Sequence, residues 1–206
     1  MQPPRERPPG FHSSGSGGRP SPSVFGADTS LSNLRSISAM NIRKTIQVKA
    51  SQRETFSMFT LRHGQWWPPV GQPQPAPTAF IEPHVGGRWF ERDVNQNDYV
   101  WGKVLAWNPP RRLLLSWQIG ADGEFDPDLH TELELRFIGL APDATLVWLE
   151  HRHLERYGHA AESQRAILAS DVGWIGILEH FARHCNQASD AGNGDRGQPS
   201  STATNP

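Results

Sequence analysis

Glu82, Arg88 and His151 are the polar side chains best placed to do chemistry in this sequence, since each falls on a stretch with strand character close to tryptophans. One or two of them could orient the polar end of a bound molecule. Glu82 or His151 could also act as an acid or base, because proton transfer needs a titrating group beside the substrate. The plainer reading is a solvated face or a structural ion pair. Two histidine pairs, His151 with His153 and His180 with His184, have spacings that bring imidazoles together on a strand face and a helix face. A third ligand accompanies neither, so no metal is expected. Gly86-Gly87 reads as a tight turn or bulge, because no helix start or lysine motif follows it to cradle a phosphate. No G-x-S-x-G motif occurs, and Cys185 reads as a small buried apolar group rather than a nucleophile. No catalytic residue and no cofactor are therefore assigned.

Tryptophan is the other unusual resource. All eight lie between Asn41 and Cys185. Trp66 and Trp67 are adjacent, and two consecutive side chains on a helix cannot both point inward, so one is expected at a cavity mouth. Trp101 and Trp117 fall on strands, where alternation puts Leu113, Leu115 and Trp117 on one face. Trp174 falls in the last helical stretch. Ligand pockets are lined by such apolar and aromatic groups, so core and pocket lining are nearly the same assignment here.

The elements that must position these residues follow from periodicity. Ile46, Val48 and Ala50 alternate with Thr45, Gln47 and Lys49, which predicts a half-buried strand. Ser51 and Glu54 form a capping box for a short helix carrying Phe56, Met58 and Phe59. A second turn runs to Trp66-Trp67, where Pro68-Pro69 stops it. After a proline-rich loop come strand-like runs at Thr78–Glu82, Arg88–Asp93, Tyr99–Trp107, Leu113–Ile119, Thr131–Ile138 and Thr145–His153. In Thr131–Ile138, Leu133, Leu135 and Phe137 are expected inward and Glu132, Glu134 and Arg136 outward. From Ala160 to Cys185 there is no proline. Ile167, Trp174, Leu178, Phe181 and Cys185 then form an apolar stripe, interrupted by Asp171, on one long helix. Consecutive strands with short turns predict a curved antiparallel α+β sheet whose concave face is filled by that helix.

Composition bounds the rest. Residues 1–39 and 187–206 are rich in Pro, Gly, Ser and Asn and are expected to be disordered tails around one domain at 40–186. Met40 stands where the composition changes and reads either as an ordinary residue at the domain edge or as the true start. A formal charge of −1 argues against a nucleic-acid partner. No apolar run is long enough to cross a membrane, the first forty residues hold no apolar signal core, and one cysteine permits no intrachain disulfide, so a cytoplasmic protein is expected.

Several motifs together resemble a known family. These are Trp66-Trp67-Pro68, the run from Glu82 to Trp89, Trp101-Gly102-Lys103-Val104, Pro109 to Leu113 with Ser116-Trp117, Leu149 to Arg152, and Gly173-Trp174. Their order is similar to that of the START-like, or SRPBCC, superfamily, in the branch of homologues of the activator of heat shock protein 90 ATPase. The resemblance implies the helix-grip fold and a cavity between sheet and long helix that holds a small apolar molecule. The expected contact set is Trp66, Trp67, Glu82, Arg88, Trp101, Trp117, His151 and Trp174. Ligand binding without chemistry is the leading expectation. A cyclase- or hydrolase-type enzyme using the same cavity is the second, and a co-chaperone-like module with a protein partner, or a homodimer, is the third.

Overall fold

The computed structural model describes residues 40–68 and 76–194. The chain runs β1 (Ile42–Val48), α1 (Gln52–Thr60), α2 (His63–Trp66), β2 (Thr78–Ile81), β3 (Arg88–Arg92), β4 (Asp98–Asn108), β5 (Arg112–Trp117), β6 (Thr131–Ala141) and β7 (Ala144–Arg152). A 3-10 segment, Leu154–Ala160, leads into α3 (Ala161–Ala169) and α4 (Trp174–Gly194). The strands form one seven-stranded sheet in the order β1-β7-β6-β5-β4-β3-β2. Every neighbouring pair is antiparallel. β2 to β7 is a meander, and β1 joins its far edge by pairing Ile42 with His151 and Val48 with Thr145. Register shifts at Trp89/Phe90, Val104/Ala106 and Gly139/Ala141 bend the strands. The curled sheet closes around α4.

The Ser51 cap forms, with the Glu54 amide donating to Ser51 Oγ at 3.3 Å. The reciprocal half of the expected capping box does not, because Glu54 takes Arg62 as its partner at 2.8 Å. Gln52 Nε2 donates to the Phe137 carbonyl at 2.6 Å and pins α1 to β6. Inside the cup, Phe56, Phe59, Trp66, Leu113, Leu115, Leu133, Leu135, Phe137, Val147 and Leu149 meet Trp174, Leu178, Phe181 and Cys185 of α4. The expected stripe on the last helix is therefore buried from Trp174 onward.

Two expectations are corrected here. The last helical stretch is not continuous: it breaks between Ala169 and Trp174, and Ile167, at 53% exposure, stands outside the stripe. The chain is so close at the break that a Cβ on Gly173 would collide with the carbonyls of Ile167 and Leu168. Glu134 does alternate away from the core, but it is buried, because Arg112, Arg136 and Arg152 converge on its carboxylate at 2.7, 2.9 and 2.8 Å. Burial would raise its pKa, but the Arg112 and Arg136 guanidinium groups hold it below the usual carboxylate range. α4 continues past the expected domain end at residue 186. Residues 187–194, expected to begin a disordered tail at 187–206, are thus helical, while the expected tail at 1–39, the rest of 187–206 and the core of the proline-rich loop lie outside the described residues.

Gly102 shows how tightly β4 and β5 approach, since a Cβ there would run into the Ser116 backbone carbonyl. Gly102→Ala should accordingly cost ~1–3 kcal/mol through overpacking. Urea unfolding measures this, and a change under about 0.5 kcal/mol would show that the two strands can part freely.

Candidate functional site

Six indoles form one continuous chain across the cup. Trp66 lies 5.5 Å from Trp67, Trp67 is 5.3 Å from Trp101 and 5.8 Å from Trp89, and Trp89 is 5.4 Å from Trp101 and 5.3 Å from Trp117. Trp117 then meets Trp174 at 5.7 Å. Most of these contacts are edge-on or tilted, the geometry that ring quadrupoles favour. The elements explain the arrangement. Trp66 ends α2 and points into the core against Phe59 and Phe181. At Trp67 the backbone leaves helical geometry (φ −59°, ψ 125°), so the next indole turns toward β3 and β4 instead. Trp101 is the extra residue of the β3–β4 bulge, and Trp117 ends β5 on the Leu113–Leu115 face.

Burial divides the chain in two. Trp66, Trp89 and Trp174 are fully buried, whereas Trp67, Trp101 and Trp117 are only partly buried against the core. The buried indoles have their N–H groups satisfied. Trp66 donates to the Met58 carbonyl at 3.0 Å, Trp89 to His63 Nε2 at 3.2 Å and Trp174 to His151 Nδ1 at 3.0 Å.

The two histidines thus play the same part at opposite ends of the site. Each accepts an indole proton on one nitrogen and therefore carries its own proton on the other. His63 Nδ1–H donates to the Phe59 carbonyl at 2.9 Å. His151 Nε2–H donates to Thr131 Oγ1 at 2.9 Å, which in turn donates to the Trp117 carbonyl at 2.8 Å. Burial lowers both imidazole pKa values to about 3. A histidine that is neutral, with both nitrogens engaged, is a poor acid or base at neutral pH. His151, expected to orient a ligand or transfer protons, has both ring nitrogens engaged within the protein and holds Trp174 in place. Its supposed metal partner, His153, leaves the strand in the left-handed conformation (φ 66°) and faces Glu132 and Glu155.

Glu82 and Arg88 do not join the indoles. They bind each other at 2.7 Å, Arg88 reaches Asp98 at 2.9 Å, and its guanidinium lies 4.4 Å from the centre of the Phe90 ring. Arg88 holds the Glu82 carboxyl below its usual range. This is the structural ion pair of the plainer reading. Trp89 and His63 escaped the sequence reading, although strand alternation carried a signal for Trp89. If Arg88 faces outward, Trp89 must face inward. Tyr157 is a further polar group at the site. It donates to the Ile119 carbonyl at 2.8 Å, and burial raises its pKa.

The side chains beneath the indoles, among them Leu113, Leu115, Leu133 and Phe181, are buried. Three pockets bordered by described residues, of about 270, 440 and 260 Å³, lie at α2–β2, at residues 120–127 and at the β3–β4 turn, and none of the three touches α4. Among the described residues no helix is long and apolar enough to cross a membrane.

Comparison with known proteins fits this architecture. The chain is 34% identical to an anthrahydroquino-γ-pyrone synthase, Txn09, over 69% of this chain and 95% of that one, with a TM-score of 0.52. It is 26% identical to CalC, a self-sacrificing resistance protein from Micromonospora echinospora, over 72% and 95% of the two chains, with a TM-score of 0.54. A protein from Rhodobacter sphaeroides shares the fold at 20% identity, 73% and 93% coverage and a TM-score of 0.50. No curated protein matches the sequence. The curled seven-stranded antiparallel sheet gripping a C-terminal helix is the helix-grip fold of the START-like superfamily. The model of the family described as "Activator of Hsp90 ATPase homolog 1-like protein" matches residues 49–185, and the chain belongs to that family.

Proposed function

We propose that this chain binds a small, largely apolar and planar molecule against Trp67, Trp101 and Trp117, and carries out no chemistry on it. The observation behind this reading is that three neighbouring indoles stay partly exposed while the rings behind them are buried and hydrogen-bonded. A flat ring system offers faces and edges that complement such a surface. The 34% identical relative is named an anthrahydroquino-γ-pyrone synthase, a name that denotes a fused-ring product. The locked state of His63 and His151 supports binding without acid–base catalysis. Cys185, whose thiol burial pushes up to about 12, is inert in the same sense and fits a cytoplasmic setting.

A titration of intrinsic tryptophan fluorescence with 2-methoxyanthraquinone tests this. The wild type should show saturable quenching. Trp117→Leu should weaken the probe roughly three- to tenfold, as loss of one aromatic contact implies. Equal affinity in both proteins would make Trp117 simply core and would move the search to the outer surface and a protein partner. One observation favours a second reading, a cyclase-type enzyme, namely that the relative is named a synthase. Mass spectrometry of the probe and of reactive polyketide-like substrates after incubation separates the two, since a binder returns them unchanged.

A further inference from the structure

β3 presents two faces of different character. On one, Phe90 stacks on Phe80 at 5.3 Å, and the guanidinium groups of Arg88 and Arg92 lie 4.4 and 5.3 Å from the Phe90 centroid. Alternation therefore sends Trp89 and Glu91 to the opposite face, which is the face of the indoles. The pairing with β2 is regular there, Ile81 opposite Trp89 and Ala79 opposite Glu91, and Ala79 and Ile81 are both buried. Glu91 thus stands one row along from Trp89, ~7 Å away by strand geometry. It is opposite Tyr99 on β4, with Trp101 in the bulge between these two rows.

The charges around it are matched with one another. Arg88 is held by Glu82 and Asp98, and Arg92 by Asp98 at 2.6 Å. Glu91 enters none of these pairs. The segment 69–75 that follows Trp67-Pro68 contains no basic residue to offer it. Half-buried and in no ion pair among the described residues, its carboxyl is shifted upward by desolvation. A carboxylate on an aromatic face that has no partner among the described residues has hydrogen-bonding capacity to offer a ligand.

We infer that Glu91 is the polar anchor of the indole recess, accepting a hydrogen bond from a phenolic hydroxyl on a planar arene seated against Trp67, Trp101 and Trp117. This rests on the ligand-binding reading above and names the substrate class, a hydroxylated polycyclic arene. The indoles supply area, and Glu91 supplies orientation and selects for the hydroxyl.

The test compares 2-hydroxyanthraquinone with 2-methoxyanthraquinone on the full chain by calorimetric titration. The wild type should prefer the hydroxyl probe by about tenfold, the scale of a hydrogen bond to a charged acceptor. Glu91→Gln should bind the methoxy probe as the wild type does and lose most of that preference. Glu91→Ala, measured alongside, should lose it as well, so the result does not hang on the folding of one variant. If the wild type binds both probes equally, or if both variants keep the preference, Glu91 is not the anchor although the indole recess stands. If neither probe binds the wild type, the recess itself is refuted and the anchor with it. A stronger preference for an aminomethyl-anthraquinone cation than for the hydroxyl probe would also overturn the inference, since the site would then be a cation-binding cage.

Discussion

Acidification from pH 7 to pH 5 should destabilise this protein by roughly 4 kcal/mol, about 2 kcal/mol from each of His63 and His151. Both imidazoles are fully buried, and burial lowers their pKa from 6.5 to about 3. In the unfolded chain they titrate near 6.5, so below that pH the unfolded state binds protons that the folded state refuses. Stability is therefore complete above pH 6.5 and is lost progressively as pH falls toward 3. The carboxylates with lowered pKa values, Asp98 at about 2 together with Glu82, Asp93 and Glu134, act in the same direction, but only below the normal carboxylate range near pH 4. Glu91, whose pKa is raised, opposes the trend. Between pH 6.5 and 5 the two histidines dominate. Urea unfolding at pH 7.5, 6 and 5 measures the slope. His63→Gln, which can still accept from Trp89 and donate to Phe59, should lower stability at neutral pH and halve the slope. A stability curve flat from pH 7 to 5 would mean that the imidazoles are hydrated and not sealed behind the indoles.

The same histidines show where the sequence was and was not legible. Period-two alternation on β6 and period-3.6 spacing after Trp174 are local signals, and both survive in the fold because burial of one face sets them. Alternation does not separate an exposed outward residue from one buried under its neighbours. Glu134 became buried only because Arg112 and Arg152 arrive from strands on either side. The interruption at Asp171 and the glycine at 173 marked the end of one helix and the approach to another, but an unbroken run without proline masked the break. Trp66, Trp67, Trp101, Trp117 and Trp174 were identifiable because tryptophan is large and rarely left wholly in solvent. His63 was not, because nothing local reveals that a helix-end imidazole will meet an indole from β3. Glu82 and Arg88 drew attention as charges near the cup, yet their spacing of six across a turn is that of a hairpin ion pair. Glu91, one row beyond Trp89, was passed over because its face depends on which way Arg88 points.

Trp89 is where packing and site converge, and Trp89→Ala should cost ~3–5 kcal/mol, the range for deleting a fully buried large aromatic. The indole is 1% exposed and touches His63, Trp67, Trp101 and Trp117. Its removal leaves a cavity and also strips His63 Nε2 of its one donor among the described residues. Trp89→Phe separates the two contributions. Phenylalanine retains most of the ring volume but has no N–H, so a buried acceptor is left unpaired at ~1–3 kcal/mol. Unfolding in urea should rank wild type above Trp89→Phe and Trp89→Phe above Trp89→Ala, with little change in the denaturant slope. Trp89→Phe should also raise the His63 pKa, because an unpaired lone pair is easier to protonate, and nuclear magnetic resonance titration of the imidazole reads this directly. Since Trp67, Trp101 and Trp117 all lean on this ring, Trp89→Ala should lose affinity for planar probes beyond what Trp117→Leu loses. A cost below about 1 kcal/mol for Trp89→Ala would show that the partly exposed indoles are not held from behind, and a preformed aromatic recess would then be untenable.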